Sequence, residues 1–145
     1  RTRCQMFKGK SDWKFVKKVK ETVNIPVIVN GDILNFNDVN KSMKKSSADG
    51  VMIGRGCYGK PWIFEEIKGT STTNYNLAMG KKKEVILEHL DLNLSHYGEE
   101  IGIKTFRKHL GWYSKSLSNS NEFRLKVNLC KEVKKIKAFI KDFFQ

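Results

Sequence analysis

Residues 25–62 read IPVIVNGDILNFNDVNKSMKKSSADGVMIGRGCYGKPW, and this stretch decides the fold of the first half of the chain. It contains two short apolar runs, at 26–30 and 49–53, which Val and Ile dominate without polar alternation. Such runs are typical of buried parallel strands, and the polar segment between them is long enough for one helix. The stretch therefore predicts a strand–helix–strand unit with two parallel strands.

Each apolar run ends in a glycine turn: Asn30-Gly31-Asp32 follows the first and Gly54-Arg55-Gly56 follows the second. Because parallel strands joined by a helix end on the same side of a sheet, we expect the two turns to lie side by side. Glycine lets a ligand approach the backbone, and Arg55 adds a fixed positive charge, so the pair suits a phosphate group. Two ordinary turns with a surface arginine are the alternative that the residues alone leave open.

Three helices are predicted around these strands. Ser11 is the expected N-cap of the first helix, which runs to about Val23. Its buried stripe would consist of Trp13, Val16, Val19 and Val23. The polar run 35–38 is expected to cap the second helix, which ends at Ser46-Ser47. Residues 60–62 would begin the third helix, since proline is tolerated in a first turn.

A run of small polar residues at 69–76 (GTSTTNYN) marks a change in composition, and we place a domain boundary there. The residues beyond it show no strand-like alternation. They carry apolar side chains at helical spacing in several stripes, for example Ile103, Phe106, Leu110, Tyr113 and Leu117. Each stripe is too narrow for a fully buried helix, so we predict a small helical bundle.

The 145 residues include 28 Lys and Arg against 15 Asp and Glu, which gives a net charge of +13. This surplus is spread over both halves and favours a polyanionic partner, such as a nucleic acid, through counterion release. Solvated lysine-rich faces are the alternative that the composition leaves open. No apolar run approaches the length of a membrane span, so none is expected.

The three cysteines, Cys4, Cys57 and Cys130, lie far apart and form no CxxC pair. A disulfide framework or a zinc site is therefore not expected, and the reducing cytoplasm is the expected location. His89 and His96 have no acidic or cysteine partner at metal-ligand spacing, so we expect no metal. We also expect a monomer.

The chain begins at Arg1 within what reads as a loop, and its first half contains only two clear strands. A parallel sheet needs more strands and cover on both faces. We therefore expect the chain to be part of a longer protein, whose N-terminal portion supplies the rest of a sheet or barrel.

Four segments together resemble the bacterial tRNA-dihydrouridine synthases, in particular the B type. They are RTRCQMFKGKSDW at 1–13, IPVIVNGDI at 25–33, ADGVMIGRGCYGKPWIF at 48–64, and FRKHLGWYSKSL at 106–117 with EFR at 122–124. Each segment alone is a weak signal, because NGD and GRG turns occur in several flavin barrels. Their order and spacing make the resemblance specific, and it covers nearly the whole chain.

The resemblance implies an α/β fold: the C-terminal part of a TIM (β/α)₈ barrel, followed by a small all-α domain. Residues 1–70 would be the end of the FMN-binding barrel, from the loop after strand six to helix eight. Residues 71–145 would be a linker and a C-terminal helical tRNA-binding domain. The implied activity is reduction of uridine in tRNA to 5,6-dihydrouridine, with FMN as cofactor and NADPH as reductant. The residues implied to bind FMN are Asn30, Gly31, Asp32, Gly54 and Arg55.

In the helical half, the resemblance implies contacts between tRNA phosphates and basic residues on the outward side of one stripe. These residues are Lys104, Arg107, Lys108 and Lys115. A solvated side chain is the alternative for each of them. Trp112 and Tyr113 are expected to pack in the interior rather than to stack on a base.

The cysteine that protonates the base in this family belongs to an early barrel segment that this chain lacks. We therefore assign no catalytic residue, and the catalytic cysteine is expected in the missing N-terminal part. One alternative function is a non-catalytic RNA-binding remnant without the catalytic half. Another is an FMN barrel oxidoreductase for a small molecule, against which the FRKHLGWY segment and the net charge argue.

Overall fold

A computed structural model describes residues 1, 3–6, 8–69 and 78–145. The chain divides into two compact units, Arg1–Asn74 and Tyr75–Gln145. The first unit contains α1 (Trp13–Thr22), β1 (Ile28–Asn30), α2 (Phe36–Ser46), β2 (Gly50–Met52) and α3 (Ile63–Lys68). The second contains α4 (Met79–Tyr113), α5 (Ser120–Leu129) and α6 (Val133–Phe143). The linker predicted at 69–76 lies, apart from Gly69, outside the described residues.

The predicted strand–helix–strand unit is present. β1 and β2 pair in parallel, with Ile28 opposite Gly50 and Asn30 opposite Met52. The connecting helix α2 begins after Asn35, whose side-chain oxygen accepts a hydrogen bond from the Asp38 N–H at 3.0 Å. It ends at Ser47, a residue with left-handed backbone angles. Both predicted ends of this helix are confirmed.

The strands are shorter and less buried than the apolar runs predicted. Val29 is completely buried, but Ile28 and Met52 are 55% and 56% exposed. Successive side chains of a strand point to opposite faces, and α2 packs against both strands. The prediction of fully buried strands is wrong because the structure, over the residues that it describes, covers only one face of this sheet.

Helix α1 begins one residue later than predicted. Its N-cap is Asp12, whose carboxylate accepts a hydrogen bond from the Phe15 N–H at 3.1 Å. The prediction that Ser11 caps the helix is wrong, because the Ser11 hydroxyl donates to the Gly31 carbonyl instead. In the predicted stripe, Val19 is exposed and the other three side chains are half-buried, and no residue of α1 is fully buried.

The second unit is built around a bend in α4. Gly98 has a positive φ of 75°, which divides α4 into a first arm, residues 79–97, and a second arm, residues 99–113. The arms fold back on each other, since the Asn93 amide donates to the Gly102 carbonyl at 2.7 Å. Gly102 permits this approach, because a Cβ there would lie only 3.0 Å from the Leu94 side chain.

The arms and the two following helices enclose an apolar core. Its buried side chains include Ile86, Leu90, Phe106, Leu110, Val127, Ile136 and Ile140. The Phe123 ring of α5 stacks on Phe143 of α6 at a centroid distance of 4.2 Å. The predicted small helical bundle is therefore confirmed. Among the described helices, none is long and apolar enough to cross a membrane.

Candidate functional site

The two glycine turns lie side by side, as their positions after parallel strands predicted. A cavity of about 650 Å³ opens between them, and its wall includes Asn30, Gly31, Asp32, Gly54 and Arg55. These are the five residues that the sequence predicted to bind a cofactor. The cavity lies beyond the carboxyl ends of β1 and β2, where ligands of parallel sheets bind.

Gly56 allows the two turns to touch. A Cβ at this position would overlap the carbonyl oxygen of Ile33, which follows the first turn. At Gly54, by contrast, an added Cβ would meet no atom within 4 Å. One glycine of the second turn therefore permits the contact between the turns, and the other leaves room beside the backbone.

Asp32 connects three separate parts of the first unit. One carboxylate oxygen bonds Arg1 at 2.5 Å, and the other accepts the Ser11 N–H at 2.7 Å. The Ser11 backbone bond, together with the Arg1 guanidinium, holds the pKa of the Asp32 carboxyl below its ordinary value. Asp32 also has a positive φ of 55°, so the turn is held in a shape that few side chains adopt.

The Gly31 carbonyl is fixed by two donors from the start of the chain. The Trp13 indole N–H donates to it at 2.8 Å, and the Ser11 hydroxyl donates at 3.0 Å. Gly31 has a φ of 114°, and a Cβ there would lie 2.8 Å from the Ser11 Cβ. The segment 11–13 therefore requires glycine at position 31 and shapes one wall of the cavity.

The charges at the cavity suit an anion. Among the described residues of its wall, two arginines, Arg1 and Arg55, accompany one aspartate, Asp32. Arg1 pairs with Asp32, and Arg55 places a second guanidinium on the second turn. A guanidinium can bind two phosphate oxygens at once, so the second turn is the natural position for a phosphate.

In the second unit, three of the four predicted RNA-binding residues are exposed. Lys104, Lys108 and Lys115 all face solvent, and Lys104 bonds Glu100 at 2.6 Å. Arg107 is different, because it is half-buried and its Nη2 donates to the Cys130 carbonyl at 3.0 Å. Arg107 is therefore less exposed than predicted, and its contact with RNA stays a prediction. Its position brings it against the end of α5.

The sequence did not predict the ring cluster that lies between the arms of α4. His89 Nδ1 bonds the Tyr113 hydroxyl at 2.9 Å, and the His89 and His109 rings are 4.7 Å apart. Tyr113 is buried, which confirms its predicted interior packing. Burial, with the nearby His89 and Lys108, lowers the pKa of His109 to about 4. A signal was present, since residues 106–113 place rings at helical spacing.

Lys131 is another residue that the sequence did not predict to belong to a site. It follows α5 and lines a pocket with Lys104 and Arg107. The described ranges contain no group of three His, Cys, Asp or Glu residues arranged to hold a metal ion.

Comparison with known proteins identifies relatives across the whole chain. Residues 1–145 match the protein family described as "Dihydrouridine synthase (Dus)". The chain is 46% identical over 153 residues to a "Probable tRNA-dihydrouridine synthase" of Rickettsia bellii, covering 99% of this chain and 45% of that protein. It is 36% identical over 148 residues to the "tRNA-dihydrouridine synthase B" of Pseudomonas aeruginosa, with coverages of 99% and 44%. It thus spans less than half the length of these relatives.

Proposed function

The chain belongs to the dihydrouridine synthase family, and on this premise we propose that it forms part of a flavin-dependent tRNA-dihydrouridine synthase. The proposed reaction reduces uridine in tRNA to 5,6-dihydrouridine, with FMN as cofactor and NADPH as reductant. The first unit would be the end of a TIM barrel and the second a helical domain that holds tRNA. The proposed location is the cytoplasm.

The cavity between the two glycine turns is the observation that carries this proposal. Its volume of about 650 Å³ lies in the range of cofactor sites. Arg55 would bind the FMN phosphate, and the open space beside Gly54 would let the phosphate approach the backbone. Asn30 and the 31–32 turn would receive the ribityl hydroxyls. The planar guanidinium of Arg55 fits this dianionic group.

The residues of this chain would bind and orient the cofactor rather than donate the proton that the reduction of uridine requires. When bound, FMN supplies the hydride that saturates the C5–C6 bond of the uracil ring. Asp32 is already paired with Arg1 and Ser11, so its role is to hold the first turn in place. We assign the proton donor to a cysteine outside this chain. The uridine must leave its stack before the ring can react.

The second unit would hold the tRNA by its backbone. Lys104, Lys108 and Lys115 expose positive charge along the second arm of α4 and the turn after it, and such side chains contact phosphates without reading bases. The net charge of +13 supports a polyanionic partner.

Deletion of the gene and analysis of the tRNA test this function. We expect dihydrouridine to disappear from at least one tRNA position, and the complete reading frame to restore it. The same reading frame with Arg55→Gln should restore less, because FMN binding is weakened. A matched Lys18→Gln variant removes one exposed charge from α1 and should restore fully. Unchanged dihydrouridine at every position, in a strain without another synthase, would contradict the proposal.

The alternative of a non-catalytic RNA-binding protein predicts a different result for the isolated chain. That protein would bind tRNA in a salt-sensitive manner but would show no flavin absorbance after incubation with FMN. Flavin absorbance that depends on Arg55 favours the synthase.

A further inference from the structure

A pocket of about 340 Å³ lies in the second unit, where the second arm of α4 faces the connection between α5 and α6. Its wall consists of Glu100, Ile103, Lys104, Arg107 and Lys131. Three of these side chains are cations and one is an anion. We propose that this surface, which we call the anion pocket, seats a phosphate group of the backbone of bound RNA. The inference rests on the proposed tRNA substrate and specifies where one of its phosphates binds.

Arg107 is the fixed part of the anion pocket. Its Nη2 donates to the Cys130 carbonyl at 3.0 Å, which holds the guanidinium against the end of α5. Its Nε is buried and has no hydrogen-bond partner among the residues that the structure describes. Buried donors are normally paired, so an unpaired one requires an explanation. A phosphate oxygen bound beside the guanidinium would provide such an acceptor.

Lys131 brings a second cation from a different part of the chain. It directly follows Cys130, the residue whose carbonyl Arg107 holds, so the backbone that carries Lys131 is anchored at the pocket. The pKa of the Glu100 carboxyl is lowered mainly by Lys104 and to a smaller extent by Lys131. The charge of Lys131 therefore acts across the pocket. The sequence separation of 24 residues from Arg107 explains why no local pattern reveals this arrangement.

The Glu100 carboxylate is held only weakly at the pocket. Its bond to Lys104 joins two exposed side chains four residues apart, with relative exposures of 83% and 62%. Ion pairs of this kind are weak and are screened by salt. A phosphate can therefore replace the carboxylate at Lys104 while Arg107 and Lys131 provide the remaining positive charge.

The position of the cations favours a phosphate of an RNA backbone over a small free anion. Lys104 and Lys131 are both exposed at the rim, and Ile103 contributes an apolar wall. Two exposed ammonium groups suit a phosphodiester that passes over the surface, whereas a site for free phosphate would enclose it with converging donors.

The second unit contains a similar ion pair outside the anion pocket, which provides matched control variants. Glu122 and Lys126 in α5 repeat the Glu100–Lys104 arrangement, four residues apart and bonded at 2.8 Å. They do not line the anion pocket. Lys126→Gln and Glu122→Gln are therefore controls with the same charge changes and the same helical spacing.

The experiment measures binding of an unmodified tRNA transcript to the 145-residue chain at several salt concentrations. Lys104→Gln and Lys131→Gln should each weaken binding about threefold to tenfold and lower the salt slope by about one unit. Glu100→Gln should strengthen binding, since it removes the competing carboxylate. The two control variants should change affinity less than about twofold. Circular dichroism verifies that each variant keeps its helices.

Three results would overturn the inference in distinguishable ways. If the chain binds tRNA and the pocket variants behave like the controls, the anion pocket is not a phosphate seat, and the proposed function stands. If the wild-type chain binds no tRNA, the pocket and the proposed partner both fail. If inorganic phosphate at equal ionic strength binds the anion pocket and the pocket variants do not change tRNA affinity, the pocket binds a free anion rather than RNA.

Discussion

The two units of this chain differ in what holds them together. Among the described residues, only four of the fifteen buried hydrophobic side chains lie in the first unit, and the second unit contributes eleven. The first unit instead relies on hydrogen bonds that converge on the turn at Gly31 and Asp32. Burial of apolar area is the larger stabilising force, so the second unit should be the more stable one.

Truncation of a core ring should show the largest effect and should be confined to the second unit. Phe106 is completely buried between the arms of α4, so Phe106→Ala should lower the free energy of unfolding by about 3–5 kcal/mol. Leu125→Ala, at an exposed position of α5, is the control and should cost under about 0.5 kcal/mol. Urea denaturation monitored by helical circular dichroism measures both. A small loss for Phe106→Ala would contradict the stabilising role of this core.

A methyl group at Gly56 should damage the first unit alone. Gly56→Ala forces the Ile33 carbonyl away from the second turn, which should cost about 1–3 kcal/mol. Hydrogen exchange should reveal faster opening of β1 and β2, while α4–α6 keep their protection. Gly54→Ala adds the same methyl group at an open position of the same turn and should leave exchange unchanged. Equal effects of the two variants would contradict the contact between the turns.

Acid should weaken the second unit through His109. Its folded pKa of about 4 lies below the unfolded value of 6.5, so the unfolded chain binds the extra proton between these pH values. Stability should therefore be full above pH 6.5 and should fall as the pH drops toward 4. We expect a loss of about 1–2 kcal/mol, because the ring is only partly buried and solvent screens part of the effect.

His109→Gln should flatten this dependence, and His96→Gln should leave it intact, because His96 is exposed. Urea midpoints measured every half pH unit distinguish the two variants. An unchanged acid slope in His109→Gln would show that another group causes the loss.

Substitution of Asp32 should have the smallest effect on stability. The effect should be confined to the first unit, and its pH dependence should lie at lower pH than that of His109. Its pKa is lowered in the folded state, so its contribution is present above the ordinary aspartate pKa and is lost as the pH falls below it. Asp32→Asn should cost about 1 kcal/mol at pH 7, after allowance for partial exposure. Hydrogen exchange of β1 reports the change. Asp12→Asn keeps a side-chain cap for α1 and serves as the control.

The helices of both units were largely predictable because their signals are local. The Asn35 cap, the end of α2 at Ser46-Ser47 and the stripe from Ile103 to Tyr113 all depend on residues within a few turns of one another. The apolar runs likewise predicted parallel strands with their turns at one edge. Burial of the strands was not predictable, because it depends on what covers each face.

The roles of the side chains were less predictable than the elements. Ser11 looked like a helix cap but bonds Gly31, since a hydroxyl serves whichever partner the fold brings near. Arg107 looked like an outward cation, but the end of α5 accepts its hydrogen bond. The five residues predicted to bind a cofactor do line one cavity, and their contacts with FMN remain a prediction.

The sequence by itself determined the helices, the parallel pair of strands and the two glycine turns, because periodicity and turn chemistry act over short distances. Only the tertiary structure decided that Gly56 touches Ile33, that Arg1 pairs with Asp32, and that Lys131 joins Arg107 at one pocket. These contacts join residues 23 to 31 positions apart. No local pattern encodes such contacts, because they form only when packing brings the distant segments together.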